Sequence, residues 1–181
     1  MKRVIMVAVA MLVCGSGMAA HAQDAKFEVG AGLSGSIPVG DFKDAAKSSP
    51  GLNVYGDYKI NDMFTGGLEV GHMLGYESKA DSGTDYLCTT VGLRGRYVHA
   101  MDFGPKKGHV YGIVGISSYI WSTDPDSSLD TTKIGFNLGG GADVEIFPQW
   151  LAGIDLRYHM VKMGGVDANS FAPTLKVAYT F

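Results

Sequence analysis

The sequence contains few charged residues, only two cysteines and no cluster of Lys and Arg. Charged residues make up 18% of its 181 residues, compared with about 25% in an average soluble domain. Glycine is abundant instead, at 26 residues, roughly twice its usual share of about 7%. This composition argues against an ordinary soluble enzyme, and the absence of a basic patch argues against a nucleic-acid partner.

Residues 1–22 have the pattern of a secretory signal peptide. Lys2 and Arg3 precede an apolar run, Val4–Val13, and small residues follow up to Ala22. A transmembrane helix needs about 20 apolar residues, and this run is broken by two glycines at 15–17. We therefore predict cleavage near Ala22 and one mature domain, residues 23–181. This domain would keep 13 of the 15 Lys and Arg residues against 18 Asp and Glu, a net charge of about −5.

The mature sequence is dominated by alternation of apolar and small or polar residues. Between Ile134 and Val144, for example, Phe136 and Leu138 alternate with Asn137 and glycines, which is the period of a β-strand. Eight such segments occur, beginning at Phe27, Leu52, Phe64, Leu87, His109, Ile134, Trp150 and Leu175. The pattern predicts an all-β domain, an eight-stranded antiparallel up-and-down barrel. The segment His109–Trp121 is apolar on both faces, so its facing stays open and a bulge there is plausible.

The connections between the segments alternate in length, as in barrels with short turns at one end and longer loops at the other. Asn61–Asp62 and Phe147–Gln149 are the short turns. The longer connections are 38–50, 77–85, 122–132 and 162–170. The stretch Ala100–Lys107 falls where a short turn is expected and is longer than the pattern predicts.

Alternation alone does not distinguish a membrane barrel from a soluble one whose apolar face points inward. Two features favour a membrane barrel. The polar face is rich in glycine, which suits a narrow eight-stranded lumen. Aromatic residues cluster near strand ends, where membrane barrels carry their interfacial girdles. These residues are Tyr58, Phe64, Tyr97, Tyr119, Trp121, Trp150 and Tyr158.

The last segment stops on an aromatic residue, with apolar residues at alternate positions before it: Leu175, Val177, Tyr179 and Phe181. In this respect the chain resembles the small outer-membrane β-barrel proteins of the OmpA/OmpX transmembrane type, over its whole mature length. The resemblance implies a place in the Gram-negative outer membrane and assembly by machinery that reads this terminal strand. It also implies outer-membrane lipids and lipopolysaccharide as partners, and we expect a monomer. Pro38–Phe42 looks like a loop opening of this family, which would turn the chain.

If the apolar face meets lipid, the opposite face fills the barrel with charged side chains. By parity we expect an ion-pair network in the lumen, because an unpaired charge there would be costly. Its members are Glu28, Asp57, Lys59, Glu69, Arg94, Arg96, Asp143, Glu145, Asp155, Arg157 and Lys176, with His159 neutral among them. One interpretation is a structural plug; the other is a gate, in which carboxylate partners exchange and open a narrow water path.

The sequence does not favour an enzyme. Outer-membrane lipid A deacylases use a histidine and a serine two residues apart, and neither His72 nor His159 has that partner. The loop 124–130 carries three carboxylates but lacks the glycine and terminal glutamate of a calcium-binding EF-hand loop. We therefore expect no catalysis, metal or cofactor. Two functional classes remain: a structural or surface-interaction barrel, and a small passive or gated channel.

Overall fold

A computed structural model describes residues 26–80, 83–124, 131–163 and 166–181. The predicted signal peptide and residues 125–130 of the acidic loop lie outside these ranges. Within these ranges one short helix, α1 (Phe42–Ala45), occurs together with nine strands. The strands are β1 (Phe27–Val39), β2 (Ser49–Lys59), β3 (Phe64–Glu77), β4 (Asp85–Phe103), β5 (Lys106–Asp124), β6 (Thr131–Phe147), β7 (Trp150–Met163), β8 (Val166–Asp167) and β9 (Asn169–Thr180). Within the described ranges no helix has the length and apolar character needed to span a membrane.

The eight long strands form a closed antiparallel barrel, which confirms the predicted architecture. Each long strand from β1 to β7 pairs with the next along the chain, and β9 pairs with both β7 and β1. Phe27 and Phe181 complete the seam between β1 and β9, since they exchange backbone hydrogen bonds of 3.0 and 2.9 Å. Closure leaves no long strand with a free edge. The two-residue β8 pairs only with the end of β7.

The two ends of the barrel differ as the sequence predicts. The short turns lie at one end, together with Phe27 and Phe181, and this end is called the turn end below; the long connections lie at the other, the loop end. The long stretch Ala100–Lys107 is mostly strand, because β4 and β5 stay paired as far as Phe103 and Lys106. Gly104, with φ +65°, then opens a two-residue turn completed by Pro105. Glycine reaches this positive φ without the clash a side chain would cause.

Alternate side chains point outward and form a continuous apolar belt. Its exposed members include Leu33, Leu68, Leu93 and Leu175. A belt of this kind is the outer face of a barrel that contacts hydrocarbon rather than water. Four of the predicted girdle residues, Tyr58, Phe64, Tyr97 and Trp150, are exposed in this belt near the turn end.

Strand β5 resolves the facing that the sequence left open. It pairs with β4 and β6 without a register shift, so it carries no bulge. Tyr111, Ile113, Tyr119 and Trp121 point inward and are buried. Tyr119 and Trp121 were therefore wrongly predicted as girdle residues, because apolar side chains on both faces hid the parity. The bulges occur instead in β3, between Met73 and Tyr76, and near the turn end of β6.

Candidate functional site

The lumen is lined by the inward side chains of all eight long strands, and several inward glycines make room for its charged residues. A Cβ built on Gly67 would lie 2.3 Å from Oδ1 of Asp57, and one on Gly92 would lie 2.1 Å from the Ser117 hydroxyl. Such approaches are far inside van der Waals contact. Glycine at these positions therefore leaves room for the inward side chains of the paired neighbouring strands.

Arg94 and Arg96 of β4 share the carboxylate of Asp57. Nε of Arg94 lies 3.2 Å from Oδ1 and Nε of Arg96 lies 3.0 Å from Oδ2. Arg96 also donates to Glu28 at 2.8 Å. The side chains of Asp57 and both arginines are almost entirely buried, so the desolvation of each charge must be offset by these pairs.

Glu69 connects this group to the opposite wall of the barrel. It accepts a hydrogen bond from Arg94 at 2.8 Å and two from Arg157 at 2.8 and 2.9 Å. Arg157 also donates to Asp155 at 2.8 Å. Arginine suits this bridging because its planar guanidinium presents several donors at once.

Lys176 of β9 completes the network. Its Nζ lies 3.4 Å from a carboxylate oxygen of Asp143 and 3.7 Å from one of Asp155. The second oxygen of Asp143 lies 2.8 Å from Nδ1 of His109, and the Tyr111 hydroxyl donates to Asp155. Every carboxylate that contacts Lys176 thus has a second partner.

Two tyrosine rings fill the centre of the network. The Arg94 guanidinium lies 4.0 Å from the centroid of the Tyr55 ring, and Lys176 lies 4.5 Å from the centroid of the Tyr111 ring. The Tyr55 hydroxyl donates to Glu28 at 3.0 Å. The negative faces of the rings stabilise the two cations where water is excluded.

We call this assembly the charged plug. It comprises Glu28, Tyr55, Asp57, Glu69, Arg94, Arg96, His109, Tyr111, Asp143, Asp155, Arg157 and Lys176. Its members come from all eight long strands. Five carboxylates face three arginines and one lysine, with His109 as the remaining base. The lumen charges are therefore nearly balanced and mutually paired.

Two residues predicted for the network lie outside the plug. Lys59 pairs with Asp62 at 2.9 Å, and both side chains are open to solvent, because Lys59 ends β2 at the mouth of the barrel. Glu145, beside the β6 bulge, has no ion-pair partner among the residues the structure describes. Parity identified both as inward residues, but both lie too close to the turn end to reach the buried charges.

Sequence reasoning missed three members of the plug: Tyr55, His109 and Tyr111. Tyr55 lies between Asn53 and Asp57 on the inward face, so its parity was available as a signal. His109 and Tyr111 lie on β5, whose facing the sequence did not decide. His159, predicted to be neutral in the lumen, lies beyond the plug, where its Nδ1 is 2.7 Å from the Tyr119 hydroxyl.

A second barrier, the aromatic lid, closes the loop end. Phe42 of α1 packs edge-on against Trp121 and Tyr76, with ring centroids 5.6 and 5.2 Å away. Tyr119, Cys88 and Val161 lie in the same buried cluster. Pro38–Phe42 was predicted to turn the chain, and the turn also places Phe42 inside the mouth of the barrel.

Cavities lie on either side of the plug. The inner one, about 40 Å³, lies between plug and lid and is lined by hydroxyl-bearing residues such as Ser34, Ser36 and Thr174. This is room for two or three water molecules. The outer one, about 410 Å³, opens at the turn end. A layer of the plug separates the two cavities, and its residues line neither of them: Tyr55, Arg94, Tyr111, Asp155 and Lys176.

The terminal strand lies on the outer face near the seam. Leu175 and Val177 are exposed in the belt. Phe181 stacks on Phe27 at 5.9 Å and on Tyr179 at 6.1 Å. The role of these residues as an assembly signal stays a prediction. Among the described residues no cluster of three or more His, Cys, Asp or Glu could hold a metal ion.

Comparison with known proteins identifies the family. The family model for the outer membrane protein β-barrel domain matches residues 7–181. A comparison with curated proteins finds no match. The barrel is similar to Neisserial surface protein A, at 18% identity and TM-score 0.61, over 86% of this chain and 97% of that chain. It is also similar to OprG from Pseudomonas aeruginosa, at 14% identity and TM-score 0.65, over 87% and 96%.

A third similar structure is Ail, the attachment invasion locus protein of Yersinia pestis, at 18% identity and TM-score 0.57, over 88% of this chain and 100% of that chain. At these identities the likeness shows the fold, and the family model carries the assignment. The apolar belt, the closed barrel and the family match together place the protein in the bacterial outer membrane. The chain belongs to the outer membrane protein β-barrel domain family.

Proposed function

We propose that this protein is a structural and surface-interaction barrel whose lumen is closed and whose contacts are made at its loop end. In outer-membrane barrels the short turns face the periplasm and the longer loops face the outside. The turn end is accordingly periplasmic and the loop end is at the cell surface. The plug would hold the eight strands in register, since each strand contributes a side chain to it.

One observation carries this proposal: a buried layer of the plug separates the two lumen cavities. The side chains of Arg94, Asp155 and Lys176 in that layer are at most 2% exposed. A permeating ion would have to displace paired charges from each other, which is costly in an interior from which water is excluded. The aromatic lid adds a second closure above it.

The loop end supplies a surface for contacts. Lys43, Lys47 and Lys79 are exposed on the first two loops. Lys47 pairs with Glu77 at 2.7 Å, and Lys79 donates to the backbone carbonyl of Lys43, so the two loops are fastened together. We propose lipopolysaccharide as a partner of this surface, because its phosphates complement the lysines. Outer-membrane lipids on the belt, assembly machinery reading the terminal strand, and a monomeric state belong to the same proposal.

The proposal includes no catalytic step. His72 lies on the outer face with its Nδ1 2.9 Å from the Thr89 hydroxyl, and in the part of the chain that the structure describes no carboxylate pairs with this histidine. Two polar groups that satisfy each other beside lipid explain that contact. A mass-spectrometric change in lipid A upon expression would contradict this part of the proposal.

The second candidate is a small gated channel, favoured by the cavities on both sides of a thin plug. Planar-bilayer recording on the refolded protein separates the two. We expect no steady conductance from the wild-type barrel. Tyr55→Ala/Tyr111→Ala, which removes both rings of the separating layer, should conduct and so demonstrate insertion. A wild-type conductance that changes in Arg94→Ala and Arg157→Ala would favour the gate, and the closed-lumen proposal would then be abandoned.

A further inference from the structure

A groove of about 600 Å³ crosses the outer face of β3 to β6 near the turn end. Its floor is backbone at Gly95 of β4, which is half-buried, and at Gly112 of β5, which is exposed. Side chains that stand out from the barrel form its walls: Ile60, Phe64, Tyr97, Val114 and Leu138. The groove is almost entirely apolar.

The barrel itself does not require glycine at the floor of this groove. Neither Gly95 nor Gly112 has a positive φ. A Cβ on Gly112 would meet no atom within 4 Å, and one on Gly95 would approach nothing closer than 3.9 Å. The inward Gly92, on the same strand as Gly95, is the opposite case, since its Cβ would collide with Ser117. Glycine in a strand interior carries an entropic cost, so these two residues keep the groove open and lower the stability of their strands.

The position of the groove indicates what fills it. It is continuous with the apolar belt, the established contact surface with hydrocarbon, through Val114 and Leu138. Its other end reaches the β2–β3 turn at Ile60 and Asn61. That turn lies at the periplasmic end, so the groove faces the inner leaflet. Lipopolysaccharide lies in the outer leaflet, on the opposite side of the membrane from the groove, and therefore does not fill it.

The shape of the groove favours a chain over a second barrel. The floor is recessed between protruding walls, whereas the outer face of a cylinder is convex. A flexible chain can follow such a recess and contact its floor and both walls. Asn61, at the end of the groove beside the β2–β3 turn, is polar and marks the place of a headgroup. The aromatic pair Phe64–Tyr97, with centroids 5.3 Å apart, marks the interfacial level.

Resting on the membrane orientation and the lipid contact proposed above, we propose that this groove is a binding site for one acyl chain of an inner-leaflet phospholipid, with its headgroup beside the β2–β3 turn. The chain replaces the missing side chains at Gly95 and Gly112 and makes the van der Waals contacts that an unfilled recess lacks. The site holds a lipid in a fixed place on the belt.

Site-resolved photocrosslinking tests the proposal. The full barrel is refolded into phosphatidylethanolamine and phosphatidylglycerol vesicles containing a phosphatidylethanolamine with a diazirine in mid-chain, and adducts are mapped by mass spectrometry. We expect adducts on Tyr97, Val114 and Leu138 to exceed those on Leu175 and Val177, on the opposite side of the barrel. An enrichment of about threefold corresponds to a preference of about 0.65 kcal/mol.

Two variants distinguish binding in the groove from general contact between lipid and the belt. Gly95→Leu/Gly112→Leu fills the floor and should reduce the adducts to the level of the opposite side. Gly56→Leu is the matched control, since it is an outward glycine outside the groove whose Cβ also has open space; it should keep the enrichment. If the double variant fails to show heat-modifiable migration on gels, Gly112→Leu alone serves the test.

Three results would overturn the proposal. Adducts distributed evenly around the wild-type belt, or unchanged by filling the floor, would show that no chain is preferentially held there. A dimer that is stable in detergent and lost in the double variant would place a second copy in the groove. A single band with groove-dependent adducts supports the lipid site.

Discussion

Replacing Glu69 by glutamine tests whether the charged plug stabilises the barrel. The substitution preserves volume and one acceptor oxygen but removes the negative charge that joins Arg94 and Arg157. Each arginine keeps one other carboxylate, Asp57 or Asp155. Breaking a buried pair by removing one partner costs about 3–5 kcal/mol, so we expect a loss of that size in the free energy of unfolding.

The assay is urea unfolding of the refolded barrel in phospholipid vesicles, followed by tryptophan fluorescence. The urea concentration at the unfolding midpoint should fall. The slope of the unfolding free energy against urea concentration should stay unchanged, because the same surface is exposed on unfolding. Glu77→Gln is the matched control. Its pair with Lys47 is as short, at 2.7 Å, but both side chains are about half exposed, and such pairs contribute about 0–1 kcal/mol. Equal losses in the two variants would refute the structural role of the plug.

A double-mutant cycle with Arg157→Met separates coupling from simple loss of charge. In the double variant the pairs Arg94–Asp57 and Asp155–Lys176 remain, and neither replaced residue leaves its partner unpaired. The double variant should therefore lose less than the sum of the single losses, by about 0.5–3 kcal/mol. Additive losses would show that Glu69 and Arg157 act independently.

Two further predictions concern the lid and the glycines. In a Trp150→Phe background, Phe42→Ala should increase acrylamide quenching of Trp121, because Trp121 loses its edge-on ring contact. The control Phe103→Ala, at the exposed turn end, should not increase the quenching. An equal increase in both variants would contradict the role of Phe42 in the lid. Gly67→Ala should destabilise the barrel by about 1–3 kcal/mol, since its Cβ would lie 2.1 Å from the backbone oxygen of Gly56. Gly56→Ala is the control, because its Cβ would have open space, and its free energy of unfolding should stay within about 0.5 kcal/mol of wild type. Similar losses of stability in both variants, measured by urea unfolding, would show that crowding around Gly67 does not cause the destabilisation.

Much of the fold was predictable because its determinants are local. Alternation decides which residues of a strand point outward, and it correctly placed Leu33 and Leu175 on the belt. The alternation in the length of the connections placed the short turns at one end. Alternation failed on β5, where Tyr119 and Trp121 are apolar residues on the inward face. An inward face can be apolar as well as polar, and period two alone cannot distinguish the two faces there.

The pairing inside the lumen was predictable only as a set of inward charges. Parity placed Glu69 and Arg157 inside, yet their contact joins residues 88 positions apart in sequence. Depth along the barrel axis decides which inward charges meet. This is why Lys59 pairs with the exposed Asp62, although its parity is the same as that of Asp57.

The sequence by itself determined the barrel, its strand count and its apolar belt, because each follows from period two, turn residues and the terminal strand. Only the tertiary structure decided the partners of each lumen charge, the entry of Phe42 into the mouth, and the recess over Gly95 and Gly112. These features join side chains from strands distant in sequence. Their geometry depends on closure and register, which hydrogen bonding around the whole cylinder sets.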